Sequence, residues 1–197
     1  TGHIARTKYV GCQNQSFVLP VYPKGLARAG ICDIRYKAPG SGSGACGKVT
    51  IMMSFGVIGV SVRSGNMPLL EALVVPEAER AQRMSALKDF CNFAELVPVY
   101  TCNRSEFYYA TSERPAGLEF RNRLLDFFLR DKTIHFEQSD ITSLVAFRAL
   151  RHLYRVAGSL DSLVVGEAQI LGQVKASLTQ AQESGLAGPR MANIFAD

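Results

Sequence analysis

Residues 99–110 read VYTCNRSEFYYA: an apolar run, a single cysteine, an arginine two residues on and a glutamate two after that. With the residues before it, ELVPVYTC at 95–102 has the composition of a strand, and EFYYATS at 106–112 reads as a second strand shortly after. Residues two apart on a strand share a face, so Cys102 and Arg104 point the same way if 101–104 stays extended. A thiol attacks a carbonyl carbon only as the thiolate, which needs a cation or dipole beside it. Arginine adds a planar fork suited to a carboxylate. A lone cysteine at a strand end is more often a packing residue, and this stretch alone leaves both readings open.

Working outward, VTIMMSFGVIGVSV at 49–62 reads as one strand, and PEAERAQRMSALKDFCNF at 76–93 as a helix opened by Pro76 and first-turn acids. GLEFRNRLLDFFLR at 117–130 is an amphipathic helix. SDITSLVAFRALRHLYRVA at 139–157 starts on a capping residue, Ser139 or Asp140, and reads as helical throughout. SLVVGEAQILGQVKASLTQAQESG at 162–185 is a longer helix that Gly185 stops. In it Ser162, Gly166, Gln169 and Gln173 make a polar-and-small face, while Leu163, Ile170, Leu171, Val174 and Leu178 meet a core. The order β-α-β-β-α, followed by helices, predicts a small α/β sandwich with a helical subdomain.

The net charge of +5 does not describe a basic folded surface. Residues 1–50 hold seven Lys or Arg and one acid, Asp33, whereas 51–197 hold 15 basic and 16 acidic groups. Residues 1–48 therefore read as a flexible leader, similar to a transit-peptide remnant, ending in the Gly/Ser linker APGSGSGACGK. Gly42, Gly44 and Gly47 spell G-x-G-x-x-G, but Pro39 precedes them and a strand follows, so they lack the setting of a dinucleotide loop. Five cysteines at irregular spacing suggest free thiols, not a disulfide framework or a zinc site, and Cys91, beside Phe90 and Phe93, reads as core. No apolar run is long enough to span a membrane.

Two stretches in order, TCNRSE at 101–106 and SLDSLVVGEAQILGQVK at 159–175, resemble glutamyl-tRNA reductase, and GVSV followed by PEAE resembles the plant-type first strand and helix of that family. The resemblance runs over roughly residues 55–197. It implies an α+β fold, with a ferredoxin-like βαββα-type subdomain and a helical subdomain. On that reading 49–160 is the catalytic domain and 161–197 its helical end, cut before an NADPH-binding domain. The implied reaction is NADPH-dependent reduction of glutamyl-tRNA(Glu) to glutamate-1-semialdehyde through a cysteine thioester, in plastid tetrapyrrole synthesis. The fragment alone would complete only the thioester half.

Position by position, the resemblance makes Cys102 the nucleophile and His152 a histidine near the reacting carbonyl. Thr101, Asn103, Arg104, Ser162, Glu167, Ala168, Gln169 and Gln173 become substrate contacts. Glu106 either contacts substrate or orients Arg104. The implied partners are charged tRNA(Glu), glutamate-1-semialdehyde aminotransferase and, for a full-length chain, a second copy. The sequence departs from the family at RSGNMPLLEAL, 63–73, where a charged turn is usual, and at Tyr100, where a serine is usual. Two rival readings stay open: a non-catalytic truncated paralogue binding tRNA or a pathway partner, and a thiol esterase for small acidic esters.

Overall fold

The computed structural model describes residues 31–37, 46–52, 55–111, 117–160 and 169–196. They fall in two compact units that divide at Met53/Ser54. In the first, β1 (Ile31–Lys37) and β2 (Cys46–Met52) pair antiparallel, Ile31 opposite Met52 and Lys37 opposite Cys46. Composition predicts a flexible leader over 1–48; β1 lies inside it and β2 runs across the expected boundary at 48/49.

The second unit runs β3 (Phe55–Ser61), α1 (Met67–Ala72), α2 (Glu77–Phe90), β4 (Glu95–Thr101), β5 (Arg104–Ala110), α3 (Gly117–Leu129), β6 (Thr142–Val145), α4 (Phe147–Ala157), α5 (Gln169–Glu183) and α6 (Pro189–Ala196). Its sheet has the order β4-β5-β3-β6 with every neighbouring pair antiparallel. A βαββαβ chain with that order is the ferredoxin-like arrangement, so the α+β expectation holds.

Strand alternation gives each face of the sheet its own cover. On one face Tyr109 stacks on Phe93 and meets Phe120 at a tilt, Phe107 meets Phe128, and Ser105 donates to the Leu73 carbonyl, which seats α1, α2 and α3 there. The other face carries Arg104, Glu106 and Tyr108, against which α4 brings His152 and α6 brings Phe195. α5 packs along β4 and ends in a Schellman turn: Gly185 is left-handed (φ 68°), and Leu186 N–H returns to the Ala181 carbonyl. The Glu95 carboxylate then accepts from the backbone N–H groups of Gly188, Arg190 and Met191, capping α6 from a distant strand.

Three expected elements change. The run 49–62 is two strands of two different sheets, because an apolar run shows no break where one strand ends and another begins. The helix expected from Ser139 or Asp140 is a 3₁₀ turn (Gln138–Asp140) followed by β6, and α4 starts only at Phe147. Pairing of β6 with the edge of β3 outweighs the capping signal, which is real but closes the turn: Asp140 accepts from Glu137 N–H. The 63–73 segment is ordered as a 3₁₀ turn, a left-handed Gly65 (φ 75°) and α1, whose N-cap Asn66 accepts from Leu69 N–H and donates to Asp140.

Two glycines in β3 let side chains of β5 lie flat across it. A Cβ on Gly56 would sit 2.4 Å from the Tyr109 ring, and one on Gly59 would sit 2.5 Å from the Ser105 carbonyl oxygen and 2.7 Å from Glu106 Cα. The second clash is with backbone and cannot be relieved by a rotamer. Gly59→Ala in the full chain should therefore lower the unfolding free energy by about 1–3 kcal/mol in urea; an unchanged midpoint would contradict this packing.

Candidate functional site

Cys102 and Asn103 are the two residues of a tight turn joining β4 to β5, since Thr101 and Arg104 are the last opposed pair. The stretch 101–104 is thus not extended, contrary to the expectation that placed Cys102 and Arg104 on one strand face. Neither turn residue takes a positive φ, which the common two-residue hairpin turns require. The turn is held instead by the Thr101 hydroxyl, which accepts from Asn103 N–H at 3.2 Å, and by the Asn103 carbonyl, which accepts from Val62 N–H at 2.9 Å. The result is an exposed free thiol at Cys102 with half-buried Thr101 and Asn103 on either side. Cys91 is the opposite case: it is fully buried, and burial pushes its thiol up to about 12 against a smaller lowering by Arg123.

Directly after the turn the strand goes inside. Arg104 and Glu106 are 2% and 1% exposed. Arg104 Nη1 donates to Glu106 Oε1 at 3.0 Å, His152 Nε2 lies 2.8 Å from the same oxygen, and Tyr108 O–H donates to Oε2 at 2.8 Å. Burial pushes the Glu106 carboxyl up, but the hydrogen bond and charge of His152, the Arg104 guanidinium and the Tyr108 hydroxyl together outweigh it and hold the group below its ordinary range. An ionised carboxylate only accepts, so Nε2 of His152 carries the hydrogen of that contact and Nδ1 is the nitrogen left for other work.

Of the residues expected at the site, the structure joins Arg104 and His152 through Glu106 and sets Thr101, Cys102 and Asn103 at the head of the same strand. Gln169 and Gln173 are exposed on α5, while Ile170 and Val174 are buried as their spacing required. Leu171 is exposed and does not join the core. Ser162, Glu167 and Ala168 lie outside the described residues. Glu106 makes the contact to Arg104 that its orienting alternative requires. Tyr108 was missed, although its i+4 spacing from Arg104 on a strand already placed it on the same face.

The fold and this site define a ferredoxin-like domain that presents a thiol on a hairpin turn in front of a buried cation–carboxylate–imidazole cluster. Residues 58–197 match the family described as Glutamyl-tRNAGlu reductase, N-terminal domain. Relatives named glutamyl-tRNA reductase include one from an Exiguobacterium species, 34% identical over 143 residues, and one from a Synechococcus species, 37% identical over 137. These alignments take in 71% and 68% of this chain and 31% and 30% of the relatives. The structure of glutamyl-tRNA reductase from Methanopyrus kandleri is similar with a TM-score of 0.58 at 26% identity, over 74% of this chain and 32% of that one. The chain belongs to the glutamyl-tRNA reductase family and carries its N-terminal domain, spanning about a third of the length of these relatives.

The glycine motif at 42–47 does not build a dinucleotide loop from the residues described. Of the G-x-G-x-x-G match, Gly42 and Gly44 lie outside them, and Gly47 sits inside antiparallel β2 opposite Tyr36, where no helix follows to receive a pyrophosphate.

The pH dependence of stability follows from Glu106. Its folded value is depressed, so its contribution is fully present above the unfolded value of about 4.3 and is lost as pH falls through the folded one. Urea unfolding of the full chain should weaken below about pH 4. Glu106→Gln should remove that portion of the fall and cost about 3–5 kcal/mol at pH 7, because Arg104 loses its buried carboxylate partner. An acid limb identical in parent and variant would contradict the assignment.

Proposed function

We propose that this chain is the glutamate-loading part of a glutamyl-tRNA reductase: Cys102 takes the glutamyl group from charged tRNA(Glu) as a thioester. The observation that carries this reading is the exposed Cys102 thiol fixed on a two-residue turn, with Arg104 and Glu106 of the following strand bonded to each other and Glu106 bonded to His152 of α4. The sulfur bonds to the ester carbonyl carbon, the bond from that carbon to the ribose oxygen breaks, and the proton lost by the thiol ends on the ribose oxygen. His152 Nδ1 serves this proton traffic, its Nε2 being committed to Glu106.

Thr101 and Asn103 frame the carbonyl beside the sulfur, and Ser162, Glu167, Ala168, Gln169 and Gln173 complete the glutamate pocket. Arg104 acts from below: a substrate carboxylate that reaches it shares the guanidinium with Glu106, which a five-donor fork permits. NADPH belongs to the part of the family's reaction that follows the thioester, and in the family's setting the semialdehyde passes to an aminotransferase. We place the protein in a plastid on its basic, acid-poor first 50 residues, and assign a second copy to the full-length chain.

Incubating the full chain with glutamyl-tRNA labelled in the amino acid, without any nucleotide, should yield a glutamyl adduct on Cys102 by mass and release free tRNA. Cys102→Ser should give neither. Intact glutamyl-tRNA with no adduct, from a chain shown to be folded, would overturn the proposal.

A further inference from the structure

α4 has two chemistries on its two sides. Ala149, Leu150, Leu153 and Val156 are buried, and His152, at the border, reaches Glu106. On the opposite side Phe147, Arg148, Arg151, Tyr154 and Arg155 are all exposed, with Phe147 at 40% and Tyr154 at 42%. Their spacing of i, i+1, i+4, i+7 and i+8 puts them on one stripe of the helix. The helix carries no acid, whereas α2, α3 and α5 each carry at least one. Because residues 51–197 hold 15 basic and 16 acidic groups, three arginines on one acid-free stripe are a local concentration, not a share of a general excess.

We propose that this stripe is where RNA docks: Arg148 and Arg151 neutralise phosphates near the 3′ end of the tRNA, and the exposed Phe147 ring offers an unpaired base a stacking surface. The inference rests on the proposed function, which requires the 3′-terminal ester to reach a site to which α4 contributes His152. Guanidinium groups suit phosphate oxygens, and interleaved aromatics suit single-stranded bases in place of a second protein's apolar face. Arg155 and Tyr154, at the far end of the stripe, have contacts of their own, and Arg148, Arg151 and Phe147 carry the surface.

The test is the affinity of the full chain for an uncharged tRNA(Glu) transcript across a salt series. The paired change Arg148→Gln with Arg151→Gln should weaken binding about tenfold or more at low salt and reduce the salt slope by about one per arginine. Arg121→Gln with Arg130→Gln, the same charge loss in α3 and just after it, across the sheet, should leave both nearly unchanged, and melting curves check that all chains are folded. An unchanged affinity and slope in the α4 pair, equal losses in the two pairs, or no RNA binding by the parent would each overturn the surface. Failure of Cys102 to acquire a glutamyl group while α4-dependent binding persists would count against the proposed function and leave the docking surface standing.

Discussion

A fully buried glutamate is the constraint on which the rest of the second unit is arranged. An ionised carboxylate taken out of water is costly unless paired and hydrogen-bonded. Glu106 meets that demand with Arg104 and Tyr108 from its own strand and His152 from α4. These contacts fix β5 in register, dictate that α4 cross the sheet where His152 can reach, and require that β3 offer no side chain at Gly59. The same carboxylate sets the orientation of the imidazole and the position of the guanidinium, so folding and the proposed chemistry share one set of bonds.

The turn is the second constraint. A two-residue hairpin without positive φ splays its strands unless other groups hold it, and here the Thr101 hydroxyl and the Val62 N–H do so. A cysteine is thereby kept exposed on the turn that leads into β5, all seven residues of which are buried. The contrast with Cys91, whose thiol burial keeps protonated, separates a presented thiol from a packing one within the same unit.

Much of this was legible in the residues. The helix opened by Pro76, the helix stopped by Gly185 and the strands on either side of Cys102 follow from local chemistry alone. The tight turn did not, because CN carries none of the glycine or Asn-Gly punctuation that marks a hairpin. β6 hid inside a helix-like pattern because ITSLV is apolar enough for either state, and only pairing with β3 decides it. Sequence spacing places Glu106 on the face of Arg104, consistent with a substrate contact or an orienting group, but cannot show a histidine 46 residues away closing on the same oxygen.

The most direct test of this account is the rate at which Cys102 is acylated by glutamyl-tRNA in Glu106→Gln compared with the parent, per folded molecule and at a pH where both are folded. With the carboxylate gone, His152 and Arg104 lose their common anchor, and the rate should fall by about a hundredfold or more, the scale of a mispositioned acid–base group. Equal rates in two folded proteins would show that the buried carboxylate serves the fold alone, and would contradict the claim that one cluster does both.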